Sequence, residues 1–147
     1  MIRTEKRLRL CTVLILGILV FIWGNSLMRA ETSHAFSQWV KALLAPLFSE
    51  SSEIAREGSG LLRKIAHFAE FSALGFCLAW RSGMLGRKYR NAFAWGVAAA
   101  AIDETIQLFV PGRGPAVTDV LLDSTGVLTG MLLLCFGHTL WKRGKHN

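Results

Sequence analysis

Five carboxylates, Glu70, Asp103, Glu104, Asp119 and Asp123, lie inside or at the rim of long apolar stretches. Each would cost about 2.5–3.5 kcal/mol at the centre of a membrane-spanning helix. His67 and Gln107 stand one helical turn from them, and Arg63, Lys64 and Arg113 lie close by in the chain. Carboxylates beside a histidine are groups that move protons or hold a cation. Arginine and lysine are the groups that grip phosphate. With His67 neutral, the five acids and three bases leave a net charge of −2. Three things would remove that surplus: protonation of one or two acids, a hard cation such as Mg2+ or Ca2+, or a cationic group on a ligand. The architectural alternative is a network that only bonds helices together.

The spacing keeps these groups on common helix faces. His67 and Glu70 are at i, i+3, while Arg63 and His67, Asp103 and Gln107, and Asp119 and Asp123 are each at i, i+4. Depth agrees as well. At a rise of about 1.5 Å per residue, Glu70 lies roughly 9 Å beyond Lys64, and Asp103 and Glu104 about 11 Å before Pro111. Asp123 lies about 12 Å past Pro115, with Asp119 one turn nearer to it. Three helices would therefore bring their polar residues to one level in the outer half of a bilayer.

Four apolar stretches, 10–28, 65–80, 92–110 and 117–141, must supply those helices, expected near 10–28, 61–81, 92–110 and 117–141. All but the second have the length that crosses a bilayer outright. The second spans if it begins near Leu61. In a chain of 147 residues that is 52% hydrophobic, four such helices leave little for a separate soluble module. The fold class expected is all-α: a polytopic four-transmembrane-helix bundle in a single domain over 1–147. A basic segment with Arg3, Lys6, Arg7 and Arg9 precedes the first stretch, as in a secretory signal. The apolar run is long for a signal, and a small-residue cleavage site is poorly formed, so a retained helix is expected. Gly126 and Gly130 form a small-xxx-small pair suited to close helix contact.

Between the first two stretches, Phe36, Trp39, Val40, Leu43, Leu44 and Leu47 recur at helical spacing over 33–48. This segment reads as a short amphipathic helix in the outer interface, ended or bent by Pro46. Residues 49–60 (SESSEIAREGSG) read as a polar surface loop.

Eleven of the 17 Lys and Arg residues precede the first helix, fill the loop with Arg81, Arg87, Lys88 and Arg90, or follow the fourth. The positive-inside bias places both termini in the cytoplasm. The net charge of +7 is then a topology signal with attraction to anionic lipid, and requires no nucleic acid. Cys11, Cys77 and Cys135 are widely spaced, match no zinc or disulfide framework, and read as apolar packing residues.

RKIAHFAEFSALGF (63–76) and DETIQLFVPGRGPAVTDVLLDSTGVLTG (103–130) resemble the two signatures of the VanZ-like membrane proteins. NSLMRAETS (25–33) resembles the polar stretch after that family's first helix. The family is named for an accessory protein of glycopeptide resistance that lowers susceptibility to teicoplanin. The matching polar positions are Arg63, Lys64, His67, Glu70, Asp103, Glu104, Gln107, Arg113, Asp119 and Asp123. Phe71 departs from the Tyr that many members carry. The resemblance implies a multi-pass protein of the bacterial cytoplasmic membrane, linked to the cell envelope and to teicoplanin-type resistance. It supplies no biochemical activity.

Two function classes follow. One is an envelope factor whose outer cavity binds a lipid headgroup or lipid-linked precursor, with Arg63, Lys64 and Arg113 reaching phosphate. The other is an intramembrane enzyme acting on an envelope lipid. Its acid–base candidates are His67, Glu70, Asp103 and Glu104, beside a metal or the Asp119/Asp123 pair. No nucleophile motif frames Ser124 or Thr125. Proton or ion movement fits poorly, because the inner halves of the helices are apolar.

Overall fold

The structure is a computed structural model that describes residues 2–27, 53–114 and 116–144, with side chains from residue 4 in the first helix and from residue 63 in the second. The described residues form four helices and no strand: α1 (Ile2–Leu27), α2 (Glu53–Met84), α3 (Tyr89–Leu108) and α4 (Val117–Arg143). The amphipathic helix expected at 33–48 lies outside the described residues, as do residues 49–52 of the expected loop.

The rest of that loop is corrected. Residues 53–60 are helical and open α2 eight residues before Leu61. Gly58 and Gly60 suggest a break, but a helical glycine costs only about 1 kcal/mol relative to alanine. The residues before them, Glu53 to Glu57, are mostly good helix formers. α1 likewise begins well before the apolar run, taking in the basic segment.

α1 from Thr4 and α4 are long and apolar enough to cross a membrane, with mean hydropathies of 2.2 and 1.8 in their most apolar stretches. Only 22% and 28% of those stretches are buried within the protein. A soluble core helix of that apolarity would be covered. Here Val20, Phe21, Leu132 and Phe136 are exposed among the described residues, as on surfaces that meet a membrane or another protein segment. α2 and α3 fall short of the same apolarity. They hold Arg63, Lys64, His67, Glu70, Asp103 and Glu104.

α2 and α4 form the most extensive helix pair, with α1 laid against α2 and α3. Glycine explains how close α2 and α4 come. A Cβ on Gly130 would overlap the Ser72 carbonyl, one on Gly75 the Val127 carbonyl, and one on Gly126 would sit 2.8 Å from the Phe68 oxygen. Phe71, Leu74, Val127 and Met131 fill the seam, joined by Ile22, Ala99 and Ala100. Cys11 and Cys77 are buried, with Cys11 Sγ donating to the Cys77 carbonyl at 3.3 Å. Cys135 is exposed and does not pack as expected.

The α3–α4 connection closes the end of the bundle that carries Glu104 and Arg113. Pro111 and Gly112, the latter at φ +80°, form a turn closed by Arg113 N–H to the Val110 carbonyl at 3.1 Å. Proline then a positive-φ glycine is the composition such a turn requires.

Candidate functional site

Helix geometry delivers a polar layer from three directions. α2 contributes His67 and Glu70, α3 contributes Asp103 and Gln107, and α4 contributes Asp123. Asp103 and Asp123 are 0% and 2% exposed. One nitrogen of His67 and one carboxylate oxygen from each aspartate all lie within 4.8 Å of one another. The His67 Nδ1 to Asp103 Oδ2 separation is 3.8 Å, too long for a hydrogen bond. The imidazole also stacks at 18° on the Phe71 ring one turn along α2, with centroids 6.5 Å apart.

Around this centre, side chains are held by bonds to protein. Gln107 Nε2 donates to Asp103 Oδ2 at 2.9 Å and to Ser26 Oγ at 3.4 Å. Asn25 Nδ2 donates to Glu70 Oε1 at 3.2 Å. The end of α1 is therefore part of the site, although neither Asn25 nor Ser26 stood among the residues expected there. The available signal was two polar residues closing an otherwise apolar helix.

Three other expected residues take different places. Glu104 is buried, but its Oε2 accepts the Ala116 N–H at 3.0 Å. It satisfies an otherwise free donor at the start of α4 and brings negative charge to that helix end. Asp119 pairs with Lys64 at 3.7 Å nearer the surface. Partly exposed pairs of this kind contribute at most about 1 kcal/mol.

Arg113 is half-buried and its Nη2 donates to the Asn25 carbonyl at 3.0 Å. Burial pulls its guanidinium below the ordinary value, the nearby Arg63 charge pushes the same way, and Asp103 and Glu104 oppose both. A guanidinium stays charged regardless. Arg63 on α2 and Arg113 on the α3–α4 turn are thus near enough to act on each other's charge, with Asp103 and Glu104 acting on Arg113 as well.

Four buried atoms of the layer have no hydrogen-bond partner among the described residues: His67 Nδ1, Glu70 Oε2, Asp103 Oδ1 and Asp123 Oδ1. An unmet buried polar group costs about 1–3 kcal/mol, and more when charged. A network built only to join helices would satisfy its members. Among the described residues, the layer is left incompletely satisfied at these four atoms.

A groove of about 290 Å³ runs along α1, α2 and α3, lined by Ile15, Leu19, Leu74, Leu78, Trp95 and Ala99 among others. It ends at Trp23 and Ile102, which are two residues from Asn25 and one from Asp103.

A family model described as VanZ/LLP1 matches residues 11–140. No curated protein and no solved structure matches the chain significantly.

Proposed function

The chain belongs to the VanZ/LLP1 family, and from that membership and the polar layer we propose that it is a membrane protein of the bacterial envelope that binds the phosphate-bearing headgroup of a lipid or lipid-linked precursor. The observation that carries this reading is the half-buried Arg113, held by the Asn25 carbonyl beside the polar layer that Asn25 also joins through Glu70, with the Arg63 charge near enough to act on it. Guanidinium groups suit phosphate, which they grip through paired N–H donors. The apolar groove that reaches Trp23 and Ile102 supports it, since it offers an acyl chain a path along the helices.

In this reading all four helices cross the cytoplasmic membrane as a single domain. The termini and the α2–α3 loop, with Arg87, Lys88 and Arg90, face the cytoplasm, and the Pro111–Gly112 turn faces out. The exposed apolar faces of α1 and α4 support membrane residence. α2 and α3 cross with their charges turned inward, where intramembrane charges usually reside. A link to glycopeptide susceptibility, including teicoplanin, belongs to the same proposal.

The test is native mass spectrometry of the purified full chain released from nanodiscs containing phosphatidic acid and phosphatidylcholine. Retention of phosphatidic acid by the wild type, reduced at least tenfold in Arg63→Gln, supports the reading. Equal retention of both lipids, or no effect of the variant, contradicts it.

A further inference from the structure

We propose that His67, Asp103 and Asp123 hold a divalent transition metal of the zinc class, gripped between α2, α3 and α4. Their donor atoms come from three helices yet lie within 4.8 Å of one another. Bonds of about 2.0–2.2 Å to a tetrahedral ion place neighbouring donors roughly 3.4 Å apart. With the donors no more than 4.8 Å apart, side-chain adjustment of up to about 1.4 Å meets that spacing.

A cluster of acids alone would not carry the assignment. The independent observation is that His67 Nδ1, Asp103 Oδ1 and Asp123 Oδ1 are buried without hydrogen-bond partners. Asp103 and Asp123 are almost wholly removed from solvent. A carboxylate oxygen in that situation wants a cation, and an unprotonated imidazole nitrogen wants a proton or a metal. One dication answers all three and cancels the charge of the two aspartates.

The donor chemistry narrows the metal. Mg2+ and Ca2+ prefer sets made entirely of oxygen. An imidazole with two carboxylates suits zinc or its first-row neighbours. Three protein donors leave a fourth position for water or a ligand oxygen, as in zinc sites that act on substrates. Outer support is also present: Gln107 holds Asp103 through Oδ2 while Ser26 contacts the same amide. Partners of this kind fix a metal-binding carboxylate in place.

The test is equilibrium dialysis of the full chain in nanodiscs against Zn2+, with unfolding temperature measured in parallel. The background carries Cys135→Ala and His138→Ala, removing exposed donors on α4. One Zn2+ per chain is expected, with at least tenfold weaker binding in His67→Gln and in Asp123→Asn. Zn2+ should raise the unfolding temperature of the background protein and not of either variant. Less than one ion per chain at saturation, or unchanged affinity in His67→Gln, overturns the proposal. Should Asp123→Asn fail to fold, the background stoichiometry and His67→Gln decide. Because Zn2+ alone is the probe, its failure to bind leaves the headgroup reading standing, and loss of lipid retention leaves the metal site standing.

Discussion

Gln107 Nε2 donates to Asp103 Oδ2 across one turn of α3, leaving Asp103 Oδ1 unpartnered in the buried space it shares with His67 and Asp123. One oxygen is fixed by protein and the other is presented. Gln107→Leu removes the restraint without removing a metal donor. We expect Zn2+ affinity to fall by about 10–100-fold, as for loss of an outer-shell partner. Unchanged affinity would show that Asp103 is oriented by something else.

Neutralising the surplus charge separates function from architecture. Glu70→Gln keeps an oxygen for Asn25, and Asp103→Asn keeps the size of the side chain. Both should insert and, with metal removed, fold with thermal stability near that of the wild type, yet lose function in an envelope-antibiotic susceptibility assay in which the wild type protects. Charge-dependent binding requires that split. Full protection by both variants would favour structural glue, for which removing surplus charge is tolerated or stabilising.

Glycine contacts make a contrasting prediction about stability. A Cβ on Gly130 would overlap the Ser72 carbonyl, while one on Gly17 meets nothing within 4 Å. Gly130→Ala must push α4 from α2 and should cost about 1–3 kcal/mol, with a lowered unfolding temperature in detergent. Gly17→Ala should be neutral or stabilise by up to about 1 kcal/mol through better helix propensity. Equal stability of the two variants would contradict the close α2–α4 seam.

Orientation is tested by cysteine labelling in a background lacking the three native cysteines. Gly114, exposed in the α3–α4 turn, should be labelled by an impermeant reagent from outside as Gly114→Cys. Arg87→Cys, in the α2–α3 loop, should be labelled only after the membrane is opened. The reverse pattern would invert the topology.

The polar layer was legible in the sequence because its basis is regular. A rise of about 1.5 Å per residue and i, i+3 or i, i+4 spacing place His67, Glu70, Asp103, Gln107 and Asp123 without knowledge of the packing. The Gly126/Gly130 contact was legible for the same reason. The remainder depended on relations between distant segments. Asn25 meets Glu70 across 45 residues, and no local period announces that. Glu104 belongs to the start of α4 because of how the Pro111–Gly112 turn returns the chain, bringing Ala116 N–H to its carboxylate. The early start of α2 was hidden by two glycines that the helix tolerates.

The central claim is that the buried carboxylates and the arginines near them bind a ligand, rather than only joining helices. A structure of the full chain extracted in native lipid tests it most directly. We expect density for a phosphate between Arg63 and Arg113, with Asp103 Oδ1 and Asp123 Oδ1 engaged by non-protein atoms. A layer in which every one of those carboxylate oxygens is met by a protein donor, with no further density beside the arginines, would contradict the account.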